Sequence, residues 1–331
     1  MFPYRENAST LTATQRACVS LGFGGLLAAL SVSMGCGDAG SSADIGGGNN
    51  QAGSSQGGSH QGGGGQGGDG FGGTFDIDSG AGGAGSDCAA GAEWIYLVDS
   101  NNLLLQFRPD SLTLTPIGAL QCPTGAGDTP FSMAVDRQAR AWVLYQSGNI
   151  FHVNTTTAAC SASGFTPGQA GLKNFGMGFV SNDSGGGERL FIAGGESVSS
   201  RATLAWIDTQ SLSVSTIGQI NGWPELTGTG NGQLWSFSPN TNPATIQRLD
   251  KTNGSLAQNF DISTLTGNPS AWAFAFWGGG FYVFLQRALE PTTNIWFFDP
   301  VNNALSQAVK NTGYRIVGAG VSTCAPLVPP A

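Results

Sequence analysis

The chain has 331 residues, a formal charge of −8 and only 10% charged residues, yet 53 glycines, where average usage would give about 23. Its 13 Lys and Arg are scattered with no basic stripe, which argues against a nucleic-acid partner. Two histidines in the whole chain are too few for a zinc-type centre of three or four ligands, so no metal and no cofactor are expected.

The first segment carries Arg5 and Arg16, and the apolar run ACVSLGFGGLLAALSVSMG follows. The run is too short and too rich in glycine for a membrane span, but it has the make-up of the apolar region of an export signal. It ends in Ser33-Met34-Gly35-Cys36, which resembles the lipobox of bacterial lipoprotein signal peptides. That resemblance implies a signal peptide over 1–35 and a lipidated Cys36 as the first residue of the mature chain. Gly35 fits the pattern, whereas Ser33 stands where leucine is usual. Two or more acyl chains suffice for stable anchoring. Gly37 after the cysteine, where aspartate would signal otherwise, resembles lipoproteins sent to the outer membrane. A bacterial cell-envelope location is therefore expected, facing either the periplasm or the outside.

Residues 36–87 read as a tether. Between Gly37 and Asp87 there are 21 glycines in 51 residues, no Lys or Arg, and six aspartates. Such a stretch has too little apolar surface to offset the entropy of ordering it. As a random coil it would separate its ends by about 40 Å. The DIDSG at Asp76 has only part of a calcium loop and reads as acidic linker. His60 also lies in this tract.

Residues 88–331 repeat. The clearest unit is FSMAVDRQARAWVLYQSGNIFHVNTTTAACSAS, beginning at Phe131. Apolar alternation broken by turn residues gives four strands. The second strands recur as EWIYLVD, RAWVLYQ, RLFIAGG, QLWSFSP and FYVFLQR. Their steps are 48, 48, 44 and 47 residues from Trp94 through Trp142, Leu190 and Leu234 to Phe281. Five four-stranded units at this period predict an all-β fold, a five-bladed β-propeller. The chain begins with a second strand (Glu93 to Val98) and ends with a spare first strand (Tyr314 to Thr323). The C-terminal strand is therefore expected to complete the N-terminal blade, which removes free edges.

Setting aside Cys18 in the signal and Cys36, four cysteines remain, an even number that allows three pairings in an exported chain. The strand order selects Cys88–Cys324, at the closure, and Cys122–Cys160, both placed after the outermost strands of successive blades. The stretch AVDRQARAWVLYQSGNIFHVN resembles bacterial repeat propellers of the NHL and streptogramin-lyase type. This resemblance covers about one blade well and bears on the fold. The lyases hold magnesium with axial histidine and acidic residues, a set this chain lacks.

His152, in NIFHVN, reads as a structural histidine within a blade. Five-bladed propellers also occur among glycosidases, whose chemistry needs two carboxyl groups at a set separation. Among Asp128, Asp136, Asp183 and Glu225, only Asp128 and Glu225 fall at the end where such a site would lie, so they are the candidate catalytic carboxylates of an enzyme reading. One aromatic leads each first strand: Phe131, Phe175, Trp223, Trp272 and Tyr314. They form either a ligand-binding rim at the channel mouth or packing between blades, with Trp223 and Trp272 the best rim candidates. Two long loops, Gly194 to Thr203 and Gln286 to Asn294, add area at the same end, with Arg201, Arg287 and Glu290 as charged members. The sequence thus predicts a membrane-anchored, non-catalytic binding module with a polysaccharide or an envelope protein as partner. The alternative is a carbohydrate-active enzyme.

Overall fold

The structure is a computed structural model that describes residues 87–183 and 186–330. The export signal, Cys36, the glycine tract and His60 lie outside the described residues. No helix among the described residues is long and apolar enough to cross a membrane.

Twenty strands form five antiparallel sheets of four. The first sheet holds β1 (Ile95–Asp99), β2 (Leu103–Arg108) and β3 (Thr113–Ala119). The second holds β4 (Pro130–Val135), β5 (Arg140–Tyr145), β6 (Ile150–Asn154) and β7 (Cys160–Ala162). The third holds β8 (Asn174–Ser181), β9 (Glu188–Gly195), β10 (Arg201–Ile207) and β11 (Val214–Asn221). The fourth holds β12 (Glu225–Gly228), β13 (Leu234–Ser238), β14 (Thr245–Leu249) and β15 (Leu256–Asp261). The fifth holds β16 (Pro269–Trp277), β17 (Gly280–Arg287), β18 (Asn294–Asp299) and β19 (Ala304–Val309). Finally β20 (Ile316–Gly320) returns to pair with β1, Leu97 opposite Ala319, so the last strand completes the first blade. Both strands of the closure are shorter than the apolar pattern predicts. Arg315 gives its carbonyl to the Ser100 N–H outside the ladder, and the register shifts between Val98 and Asp99.

Several of the turns within the blades are set by a local cap. Asp136 accepts hydrogen bonds from the backbone of Gln138 (3.0 Å) and Arg140 (2.9 Å) and from the Trp142 indole (3.1 Å). Asp99 does the same work for Asn101 and Leu103. Asp208, Asp250 and Asp299 cap the outer hairpins, and these backbone bonds satisfy donors that a tight turn leaves free. The core divides into five clusters, one at each interface between adjacent blades.

Five blades make a narrow ring, and the inner strands fit because glycine is placed where they touch. A Cβ on Gly176 would lie 2.2 Å from the Pro224 carbonyl oxygen, and one on Gly318 would lie 2.9 Å from the Met133 nitrogen. These contacts are backbone against backbone, so no side-chain rotation relieves them.

Two disulfides are present, Cys88–Cys324 and Cys122–Cys160. The first ties the segment before β1 to the segment after β20. The second joins blades one and two. Cys160 opens β7 rather than following it, because the Thr155–Ala158 turn returns the chain to the sheet sooner than the pattern suggests. Disulfides persist in oxidising compartments, which points to an extracytoplasmic location.

Candidate functional site

The inner strands all run from one face of the ring, the mouth, to the other. At the mouth four of the five blades line a cavity of about 100 Å³ around the axis. Phe131 and Gln146 come from the second blade, Glu225 from the fourth, and Trp272 with Ser270 from the fifth. The closing strand and the residue before it supply Val317 and Arg315. The walls are largely apolar, and the polar groups are few and convergent, as in small-molecule sites.

Glu225, first residue of β12, is 3% exposed. Its Oε2 accepts a hydrogen bond from the Ser132 hydroxyl at 2.8 Å, which joins the fourth blade to the second past the third. Burial holds its carboxyl well above the usual carboxylate range, although Ser132 and the Met177 backbone pull the other way. Arg315 is fixed by hydrogen bonds from Nη1 to the Ser270 hydroxyl (3.2 Å) and to Gln286 Oε1 (3.3 Å), and by one from Nη2 to the Ser270 carbonyl.

The five leading aromatics separate into two groups. Phe131 and Trp272 are half-buried and line the cavity. Phe175 is fully buried, edge-on to Phe165 at 6.3 Å. Trp223 is 2% exposed in the core between blades three and four, with its indole N–H unpartnered. Tyr314 is half-buried against the core between blades five and one. Trp223 lies on the end of β9 in the preceding blade, where a Cβ on Gly195 would be in van der Waals contact with its ring at 3.4 Å.

Of the carboxylates, Glu225 lines the cavity and Asp128 does not. Asp128 accepts from the Ser147 N–H at 3.0 Å and so caps the hairpin beside the mouth. Asp136 caps its turn and Asp183 pairs with Lys251, both at the opposite face. His152 stands edge-on to Trp142 at 4.2 Å, with Nε2 unpartnered, and burial pushes its pKa down. Among the described residues no group of three or more His, Cys, Asp or Glu is arranged to hold a metal ion. In the loop after β17, Arg287 and Glu290 bond each other at 2.9 Å, while Leu289 at the tip is fully exposed.

Sequence reasoning missed Arg315, Gln146 and Ser270. Arg315 does carry a sequence signal. The residue after the leading aromatic is Ser132, Gly176, Pro224, Ala273 and Arg315 in the five units, so one long cation interrupts a series of compact residues.

Fold and site together define a five-bladed β-propeller with a small axial pocket at one mouth. No protein-family model and no curated protein matches the chain. Among solved structures it is similar to a chain of a nidogen/laminin complex, at 13% identity and a TM-score of 0.43, covering 71% of this chain and 81% of that one. TolB from Acinetobacter baumannii matches at 12% identity and a TM-score of 0.42, over 66% of this chain and 52% of its own, so the chain spans about half of that one. A protein of unknown function from Bacteroides caccae matches at 13% identity and a TM-score of 0.36, over 65% and 71%. These likenesses concern the propeller architecture alone.

Proposed function

We propose that the chain is a lipid-anchored, extracytoplasmic binding module. The propeller stands off the membrane of a bacterial envelope on the glycine tether after Cys36 and recognises its ligand at the axial mouth. The observation that carries this reading is the cavity itself: half-buried Phe131 and Trp272 as walls, one buried carboxyl and one fixed guanidinium, and, among the described residues that line it, no second carboxyl beside Glu225. Glycoside hydrolysis needs two. At about 100 Å³ the cavity is well below the several hundred Å³ of a whole small-molecule site. It accepts one residue-sized or ring-sized group projecting from a larger partner, a polysaccharide or an envelope protein.

The test incubates the full chain, disulfides intact, with a panel of cell-wall and extracellular polysaccharides and with envelope protein fractions. Thermal stability is recorded and the glycans are then chromatographed. A rise in melting temperature without new products, lost in Trp272→Ala, supports the binding module. New shorter glycans that vanish in Glu225→Gln would replace it with an enzyme.

A further inference from the structure

The chain treats its other buried carboxyls differently from Glu225. Asp136 is ion-paired with Arg140 at 2.9 Å, and Glu188 lies 3.8 Å from Arg137. Asp99 has no cation but accepts two backbone N–H bonds and the Asn101 amide. Glu225 has the Ser132 hydroxyl and the Met177 backbone, and no ion pair among the described residues includes it. Arg315 is in the converse position. Its side-chain acceptors, the Ser270 hydroxyl and carbonyl and the Gln286 amide oxygen, are neutral, and it too joins no ion pair among the described residues. One small cavity is therefore lined by an acid and a base that lack counter-ions, with an aromatic wall beside them.

We propose that the axial pocket binds a small zwitterion, with an ammonium group on Glu225, a carboxylate on Arg315, and a short apolar chain against Trp272 and Phe131. The inference rests on the reading of the mouth as a binding site. A ligand bearing only a cation gains Glu225 but meets the Arg315 charge, and a ligand bearing only an anion gains Arg315 but nothing from the protonated Glu225. A neutral ligand leaves the Arg315 charge without a counter-ion in a site partly shut off from water, where an unpaired charge is costly. A guanidinium offers a carboxylate a forked pair of donors, and the indole face favours a nearby ammonium. Binding an ammonium ion to the neutral carboxyl forms an ion pair and releases one proton to solvent, so affinity rises with pH. The charged or titratable groups that line the pocket are Glu225 and Arg315; Phe131, Gln146, Ser270 and Trp272 carry no charge to offset the effect.

Calorimetric titration of the full chain tests this with ε-aminocaproate and γ-aminobutyrate against the single-charge compounds caproate and hexylamine. At least one zwitterion is expected to bind about tenfold or more tightly than either single-charge compound, and more tightly at about pH 8 than at about pH 6, with a proton released to the buffer and hence a binding heat that depends on the buffer's ionisation enthalpy. Glu225→Gln and Arg315→Gln should each erase that advantage. Because Glu225 also braces the ring, Arg315→Gln serves where Glu225→Gln melts early. No binding of any of these compounds to folded protein, equal affinity across them, or an advantage that survives Arg315→Gln would overturn the proposal. If they fail while Trp272→Ala still abolishes binding of a panel partner, the zwitterion alone is refuted; if Trp272→Ala is silent throughout, the mouth is not the site.

Discussion

Glu188 offers a sharp test of how the far face of the ring is held. It sits at the start of β9, and its carboxylate accepts from the Arg137 backbone N–H at 2.7 Å and from the Thr323 hydroxyl at 2.8 Å. The Arg137 guanidinium is nearby, but its short bonds go to Thr323 and Ser181, both 2.7 Å, and to Asp87. Burial therefore outweighs these partners and raises the Glu188 pKa from 4.5 to about 7. A carboxyl with a raised folded-state pKa favours folding most when protonated in both states. Its contribution is fully present below about pH 4.5 and is lost as pH rises through about 7. A shift of this size amounts to about 3 kcal/mol. Glu188→Gln keeps the shape and removes the proton equilibrium. In urea denaturation followed by fluorescence, the variant should gain about 3 kcal/mol relative to the natural chain between about pH 4 and pH 8. Parallel profiles would refute the reasoning, and a variant that loses ground as pH rises would show that Arg137 holds Glu188 ionised.

Gly176→Ala should destabilise by about 3 kcal/mol or more, because its Cβ meets backbone atoms; Gly125→Ala, with nothing within 4 Å, should change stability by less than about 0.5 kcal/mol in the same melts. Replacing Cys88 and Cys324 together by Ser opens a loop of sequence separation 236 and should cost about 5 kcal/mol, against about 4 kcal/mol for the Cys122 and Cys160 pair with separation 38. Denaturation midpoints in which the second pair mattered more would contradict the closure role of the first. Trp223→Ala should lose about 3–5 kcal/mol by leaving a cavity between blades. The half-buried Trp272→Ala should lose clearly less, and equal losses would mean that both rings are core.

Much of the ring was written into local pattern. The ordering of strands, the count of five blades and the return of the last strand to the first follow from apolar alternation and turn residues, which act over a few neighbours. Asp99, Asp136, Asp208, Asp250 and Asp299 cap turns through bonds spanning two to four residues, so their work is visible in any one repeat. The candidate site was legible only in part. Glu225, Phe131 and Trp272 stood out as residue types, but Phe175 and Trp223 stood out equally, and Arg315 did not.

The sequence by itself determined a five-bladed all-β ring, its closure and the cysteines that lock it, because each of those is fixed by short-range periodicity repeated five times. Only the tertiary structure decided which aromatics face the mouth. That outcome depends on contacts between blades: the Trp223 ring is buried between blades three and four against Gly195, while Trp272 stays half-buried and lines the cavity. It also decided that Glu225 and Arg315, 90 residues apart, share one pocket with no counter-ion among the described residues, since their meeting is a property of the closed ring and of no single repeat.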